Sequence, residues 1–185
     1  MTTSKEIAER VESAIGLIPG FPQEGVLFRD ITPLIANGPV FAELTHYLAE
    51  KYRGKIDYVA GLESRGFILA APIAAELGIG MITLRKAGKL PPPVVGIDYA
   101  LEYGTARLEV RPETVPTGAR VLIVDDVLAT GGTAAASIAL MEQSGANVVG
   151  IFFLLELVDL NGRTQIEDEE IDVLIKVHET DEVGA

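Results

Sequence analysis

The chain has 185 residues, of which 48% are hydrophobic and 23% are charged, and this composition predicts one ordinary globular domain spanning 1–185. The absence of cysteine excludes disulfides, thiolate metal sites and cysteine nucleophiles. A formal charge of −12, a polar N-terminus and the lack of any long apolar run predict a cytoplasmic protein that binds neither nucleic acid nor membrane.

The first part of the chain predicts two helices separated by an irregular segment. Apolar residues at helical spacing predict a helix over 4–15, with Ser4 as its N-cap, and a second helix over about 39–53. Residues 19–33 are punctuated by proline and glycine, which favours irregular structure. We therefore expect residues 1–33 to combine one helix with an irregular segment.

The remainder alternates between short apolar runs and helical patterns. Strands are predicted at 56–62, 79–85, 120–126, 146–157 and 171–177, and helices at 66–78 and 132–145. This alternation predicts an α/β fold with a mostly parallel central sheet flanked by helices. Residues 86–104 are rich in glycine and proline, and a connection of that length without secondary structure is typical of a flexible lid.

The strongest functional signal is VLIVDDVLATGGT at residues 121–133. It predicts a buried strand that ends in Asp125 and Asp126, followed by a loop of small residues and a helix N-terminus. Open α/β sheets bind ligands at the carboxyl ends of their strands, and a helix N-terminus favours an anion. No lysine follows the glycines, so this is not the phosphate loop of the nucleoside triphosphatases. The aspartates are suited to accept hydrogen bonds from the hydroxyls of a sugar.

VLIVDDVLATGGT resembles the phosphoribosyl-pyrophosphate signature of the type I phosphoribosyltransferases. Five further segments resemble the adenine-specific branch of that family, in the same order along nearly the whole chain: FPQEGVLFRDITP, GLESRGF, LRKAGKLP, ALEYGT and LLEL. The resemblance implies the type I phosphoribosyltransferase fold with a lid or hood. It also implies transfer of the phosphoribosyl group from phosphoribosyl pyrophosphate to adenine, giving AMP and pyrophosphate in purine salvage.

The resemblance assigns roles to residues by their position. Asp125 and Asp126 would hold the ribose hydroxyls, and the 5-phosphate would lie on Ala129, Thr130, Gly131, Gly132 and Thr133. The pyrophosphate would be bound by Glu63, Ser64, Arg65, Arg85, Lys86 and Lys89. Base recognition would fall to Leu27, Phe28, Arg29 and Leu157, with Phe28 stacking on the purine and main-chain groups near Leu27 and Arg29 reading its edge.

The catalytic residues implied by the resemblance are Glu102 and Tyr103, at the end of the lid. Glu102 would exchange the proton on a purine ring nitrogen, and Tyr103 would close over the site. Burial of a carboxyl group away from water raises its pKa, which suits it to proton exchange near neutral pH. Mg²⁺ would be bound mainly through the substrate, with no protein residue assigned as its ligand, and the family resemblance implies a homodimer.

The chain departs from the family pattern in three places. Three prolines at 91–93 should stiffen the lid, Gln23 and Glu24 replace a more usual basic residue and proline, and an acidic run occupies 168–170. Residues 156–185 carry ten acidic and two basic side chains, so most of the negative charge is close to the C-terminus. Two alternative functions stay open: transfer to hypoxanthine or guanine, and a non-catalytic regulator that senses phosphoribosyl pyrophosphate.

Overall fold

A computed structural model describes residues 3–100 and 104–178. The helices in these ranges are α1 (Ser4–Ser13), α2 (Thr32–Ala36), α3 (Gly38–Tyr52), α4 (Arg65–Leu77) and α5 (Gly132–Gln143). The strands are β1 (Gly16–Pro19), β2 (Leu27–Asp30), β3 (Tyr58–Leu62), β4 (Gly80–Lys86), β5 (Val95–Ala100), β6 (Thr105–Val110), β7 (Arg120–Leu128), β8 (Asn147–Leu157) and β9 (Ile171–Val177). None of the described helices is both long and apolar enough to cross a membrane.

The main sheet has seven strands in the order β5-β6-β4-β3-β7-β8-β9. Strands β4, β3, β7, β8 and β9 run parallel to one another, whereas β6 pairs antiparallel with both β4 and β5. The prediction of a mostly parallel central sheet is therefore confirmed. The antiparallel pair extends one edge of the sheet beside the parallel core.

Helices cover both faces of this sheet, as predicted. Residues 122 and 124 of β7 belong to the core formed with α1, α3 and α4. Residues 121 and 123 belong to the core on the other face, which includes α5. A strand buried on both faces needs apolar residues at every position, because its side chains alternate between the faces. This requirement explains why β7 and β8 stand out in the sequence as continuous apolar runs.

The N-terminal expectations are partly wrong. Residues 19–33 are not wholly irregular: β1 and β2 form a two-stranded antiparallel ribbon, and α2 follows it. Gly20, Pro22 and Gly25 lie in the loop between the two strands, so they favour a turn without preventing the pairing. The N-cap of α1 is Thr3 and not Ser4, because Thr3 and Glu6 exchange the two hydrogen bonds of a capping box.

The lid expectation also needs correction. Residues 86–104 contain β5, which pairs antiparallel with β6 along its whole length, so the segment is not a structureless connection. Apolar side chains at positions 95, 97 and 99 alternate with Gly96 and Asp98, which is the pattern of a half-buried strand. The prolines just before it hide this signal when the segment is read as a loop.

Candidate active site

A cavity of about 710 Å³ lies at the carboxyl ends of β3, β7 and β8. The parallel topology brings these three strand ends to one edge of the sheet, where open α/β sheets bind ligands. Helices α4 and α5 both begin here, so two helix N-termini contribute partial positive charge. The sequence-predicted residues that line the cavity are Phe28, Arg29, Glu63, Ser64, Arg65, Lys86, Asp125, Asp126, Ala129, Thr133 and Leu157.

Asp125 and Asp126 lie within β7, which continues for two residues beyond them to Leu128. The predicted strand end at Asp126 is therefore too early, because β7 keeps pairing with β8 as far as Leu128. Burial raises the pKa of Asp125 to about 8, and the neighbouring Asp126 carboxylate adds to this rise. Burial also raises the pKa of Asp126, although the positive charge of Arg65 opposes the shift. The free site thus holds two carboxyl groups that resist simultaneous ionisation.

Arg65, the first residue of α4, bridges two parts of the cavity. Its Nε lies 2.6 Å from Asp126 Oδ2, and its guanidinium carbon is 5.8 Å from the centre of the Phe28 ring. Asp126 Oδ2 has no hydrogen-bond partner among the described residues, so the close approach is an ion pair without hydrogen-bond alignment. A single cation therefore contacts both the carboxylate pair and the aromatic ring.

The start of α4 is packed tightly against β7. A Cβ atom added to Gly66 would overlap the carbonyl oxygen of Val124 and lie close to the Asp125 carboxylate. Glycine at this position lets the helix approach the strand and brings Arg65 to Asp126. The peptide bond between Glu63 and Ser64, which directly precedes the helix, is cis.

Glu63 organises the predicted pyrophosphate-binding cations. Its Oε2 accepts hydrogen bonds from the Arg85 Nε–H at 3.1 Å and from the Lys86 backbone N–H at 2.9 Å. Burial by itself would raise the pKa of Glu63, but these hydrogen bonds and the charge of Arg85 lower it. Arg85 also donates to the Lys89 carbonyl oxygen at 3.4 Å. Lys86 lines the cavity, whereas Arg85 and Lys89 do not.

Residues 129–133, here called the phosphate loop, enclose a second cavity of about 100 Å³ whose lining includes Thr130 and Gly131. Gly131 is the N-cap of α5 and has a φ of 85°, which glycine adopts without steric cost. No side chain caps this helix end, and Gly132 is its first residue. Backbone N–H groups in the first turn therefore have no partner within the helix, as expected of an anion site.

The predicted base-binding residues fall on two neighbouring cavities. Phe28 and Arg29 line the large cavity, whereas Leu27 lines an adjoining space of about 230 Å³. Leu157 borders both. The Phe28 ring packs edge-on against Phe21, with centroids 5.1 Å apart. The structure thus places Phe28, Arg29 and Leu157 in the lining of the large cavity, and Leu27 outside it.

The predicted catalytic residues Glu102 and Tyr103 lie outside the described residues. The strand that precedes them nevertheless contributes Tyr99, which lines the cavity and which the sequence interpretation did not select. The Thr133 Oγ1 lies 3.5 Å from the Tyr99 hydroxyl oxygen. The only signal for Tyr99 in the sequence was an aromatic residue within the lid segment. The pairing of β5 was needed to show that this residue lies beside the phosphate loop.

Comparison with known proteins agrees with this geometry. The model of the phosphoribosyl transferase domain family matches residues 33–183. Adenine phosphoribosyltransferase from Thermobifida fusca is 49% identical over 175 residues, which cover 94% of this chain and 99% of that relative. The one from Acidothermus cellulolyticus is 48% identical and covers 93% and 98%.

Solved structures point to the same family. Adenine phosphoribosyltransferase from Thermoanaerobacter pseudethanolicus superimposes with a TM-score of 0.87 at 44% identity, covering 92% of this chain and 99% of that one. The Saccharomyces cerevisiae enzyme, solved with an iminoaltritol bisphosphate and adenine, has a TM-score of 0.86 at 39% identity and covers 92% and 99%. The chain therefore belongs to the phosphoribosyltransferase family, and within it to the adenine phosphoribosyltransferases.

Proposed function

We propose that this protein transfers the 5-phosphoribosyl group from phosphoribosyl pyrophosphate to adenine, releasing AMP and pyrophosphate. The observation that carries the proposal is one cavity that joins a carboxylate pair, the phosphate loop and an aromatic residue. A phosphorylated sugar needs the first two features, and a purine base suits the third. The yeast relative, which was solved with adenine and a bisphosphate, supports this choice of ligands.

The sugar phosphate is proposed to bind along β7 and the start of α5. Asp125 and Asp126 accept hydrogen bonds from the ribose hydroxyls, and the phosphate loop binds the 5-phosphate through backbone N–H groups and the hydroxyls of Thr130 and Thr133. Preorganised donors of this kind stabilise an anion without reorganising during the reaction. The two helix N-termini at the cavity favour the same negative charge.

Pyrophosphate departs with the electron pair of its bond to the anomeric carbon, and an adenine ring nitrogen supplies the pair for the new bond. The departing charge is proposed to be stabilised by Arg65 and Lys86, and by Arg85 and Lys89 once Arg85 leaves Glu63 and both side chains turn towards the cavity. Charge-assisted hydrogen bonds from such cations are stronger than neutral ones. Glu102 would accept the proton from the ring nitrogen, and lid closure would exclude water from the cationic sugar.

Magnesium fits this donor set as a companion of the substrate. Mg²⁺ prefers oxygen ligands, keeps several waters and is usually held by one or two carboxylates plus substrate phosphates. Asp125 and Asp126 are the cavity carboxylates that fit this role, and Asp126 Oδ2 has no hydrogen-bond partner among the described residues. When bound, the ion would neutralise part of the diphosphate charge. Among the described residues, His46, Glu50 and Glu76 also form a group of possible metal ligands. This group lies on α3 and at the far end of α4, and its residues do not line the cavity.

A nucleotide-formation assay tests the proposal against both alternatives. The protein is incubated with phosphoribosyl pyrophosphate, Mg²⁺ and one base at a time, and the products are separated by chromatography. We expect AMP from adenine and little nucleotide from hypoxanthine or guanine. IMP or GMP without AMP would assign a different base. Binding of phosphoribosyl pyrophosphate without any nucleotide would favour the non-catalytic regulator.

We further propose that the protein is a cytoplasmic homodimer that binds neither nucleic acid nor membrane. The net charge of −12 supports the absence of nucleic-acid binding, since phosphates must be neutralised by basic side chains. Large apolar side chains on and near β1 are exposed, with Leu17 at 49%, Ile18 at 42% and Phe21 at 52%. Such a patch is suited to contact between two subunits.

A further inference from the structure

Glu156 is a buried acidic residue that lies close to the phosphate loop. It belongs to β8, is 4% exposed, and pairs in register with Leu128, the residue directly before the phosphate loop. Its two carboxylate oxygens accept hydrogen bonds from Arg163, from Nε–H at 2.6 Å and from Nη2–H at 2.9 Å. A bidentate arginine–carboxylate pair fixes the orientation of both side chains.

Arg163 belongs to a short 3-10 turn, Gly162–Gln165, that packs against the phosphate loop. A Cβ atom added to Gly162 would overlap the carbonyl oxygen of Ala129, and one added to Gly131 would overlap the carbonyl oxygen of Gly162. Two backbone segments therefore touch where neither tolerates a side chain. The ion pair joins this turn to the rigid sheet at the point where the loop begins.

We propose that Glu156 and Arg163 are positioning residues that hold the 162–165 turn against residues 129–131 and so set the shape of the phosphate loop. The inference rests on the proposed binding of the 5-phosphate by that loop. Neither side chain of the pair lines the large cavity or the smaller phosphate cavity. Their effect on the ligand would therefore pass through the backbone contact with Ala129 and Gly131.

The energetics favour a geometric role over a purely stabilising one. Burial of an ion pair costs desolvation that the mutual attraction barely offsets, so such pairs are weak evidence for stability. A loop that offers backbone N–H groups to a phosphate, however, loses affinity when the donors move by a fraction of an ångström. Only a fixed support under the loop keeps these donors in place before the ligand arrives.

Ligand affinities separate this role from general stabilisation. Ribose 5-phosphate probes the phosphate loop, whereas pyrophosphate probes the cations around residues 63–65. We expect Arg163→Met to weaken ribose 5-phosphate binding by about 10-fold or more and to leave pyrophosphate binding within about twofold, as a misplaced binding group does. Arg163→Lys keeps the charge but loses the bidentate geometry, so an intermediate loss is expected. Isothermal titration calorimetry measures both affinities.

Gly162→Ala tests the backbone contact without touching the ion pair. Gly162 does not have a positive φ, so alanine is conformationally allowed there and only the overlap with Ala129 opposes it. We expect the same selective loss of ribose 5-phosphate affinity. This variant also keeps the test informative if Arg163→Met does not fold, because it leaves no buried charge unpaired.

Two control variants decide between the outcomes. Arg120→Met removes a similar bidentate pair with Asp57 at the opposite end of β7, and it should leave both affinities unchanged. Thr133→Val removes a proposed phosphate-binding hydroxyl directly. If Thr133→Val weakens ribose 5-phosphate binding but the Arg163 and Gly162 variants do not, the positioning role is overturned. Equal losses for both ligands, or the same loss in Arg120→Met, overturn it as well. If Thr133→Val also has no effect, the proposed phosphate loop itself is wrong.

Discussion

Asp125 and Asp126 are adjacent carboxyl groups in one strand, but their neighbours differ. Asp126 faces the positive charge of Arg65, and its backbone N–H donates to Asp125 Oδ1 at 2.9 Å. Among the described residues no cation forms an ion pair with Asp125, and burial raises its pKa to about 8. Burial therefore opposes ionisation of Asp125, whereas the positive charge of Arg65 favours the charged form of Asp126. A ligand that brings hydroxyl donors and Mg²⁺ would favour the ionised form of Asp125.

This pKa shift predicts a pH-dependent effect of Asp125→Asn on stability. An aspartate in the unfolded chain has a pKa of about 3.9, so the stability linked to the raised folded-state pKa is complete below that pH. It is lost as the pH rises through about 8. Asparagine cannot ionise, and each pH unit between the two pKa values changes the free energy of unfolding by about 1.4 kcal/mol, so we expect the variant to gain several kcal/mol relative to the wild type between pH 5 and pH 8.

Urea unfolding of the ligand-free protein at the two pH values measures this gain. Asp57→Asn is the matched control, because the hydrogen bonds from Arg120 lower the pKa of Asp57 to about 2 and leave it ionised throughout the range. An identical stability difference for Asp125→Asn at both pH values would contradict the raised pKa.

Glu102 carries the second prediction at the residue scale. Replacement by leucine removes the proposed proton acceptor, and general acid–base catalysis typically contributes about 10²–10⁴-fold to the rate. We expect Glu102→Leu to lower kcat by a factor in this range while phosphoribosyl pyrophosphate still binds. Steady-state kinetics with adenine and a direct binding measurement check the two parts. A normal kcat would remove Glu102 from the mechanism.

At the scale of elements, the antiparallel pair of β5 and β6 contacts the turn that follows β4. Glu109 of β6 is 7% exposed, and its Oε2 accepts a hydrogen bond from the Gly88 N–H at 3.1 Å. Its other oxygen lies 3.4 Å from the Arg107 Nε. The turn that carries Lys86 and Lys89 is thereby joined to the edge of the sheet. This contact prevents the proposed pyrophosphate-binding cations from moving independently of the hairpin.

Glu109→Leu should loosen this turn. The leucine cannot accept the hydrogen bond from the N–H of the exposed Gly88, and an intramolecular hydrogen bond typically contributes about 0.5–1.5 kcal/mol. We therefore expect faster hydrogen exchange over residues 86–90 and a KM for phosphoribosyl pyrophosphate raised several-fold. Glu109→Gln retains an acceptor for the Gly88 N–H and should show a smaller change in both measurements. Wild-type exchange in the leucine variant would show that the contact does not hold the turn.

The elements differ in how well the sequence predicted them. β7 and α5 were recognised because burial on both sheet faces and a helix N-terminus each impose a local pattern. The β1–β2 ribbon and both strands of the β5–β6 pair were missed, since short strands acquire stability only from their partners. The Arg65–Asp126 contact was not foreseen either, because it joins elements that are neighbours only through the strand order.

At the scale of the whole molecule, the proposed homodimer predicts the molecular mass of the protein in solution. Light scattering coupled to size-exclusion chromatography should give about twice the chain mass of 19.7 kDa. The exposed apolar side chains near β1 provide the driving force, since burial of apolar surface stabilises association by roughly 25 cal/mol per Å². A mass equal to one chain at micromolar concentration would contradict the dimer.

The net charge of the chain does not describe the charge around the cavity. The chain is strongly acidic, yet the residues around the cavity include the cations Arg65 and Lys86 and two helix N-termini. Ten of the acidic residues are in positions 156–185, so the overall charge is compatible with an anionic substrate. Local charge governs the binding of a small anion, because exposed charges farther away than about 10 Å are screened by salt.

The sequence by itself determined the α/β alternation and the family, and it predicted the phosphate loop, because each depends on residues close together along the chain. Only the tertiary structure revealed Tyr99 beside Thr133 and the Glu156–Arg163 pair beneath the loop. The first contact joins residues separated by 34 positions, and the second matters only because Gly162 meets Ala129. Such contacts follow from strand order and close backbone packing, for which no local sequence pattern exists.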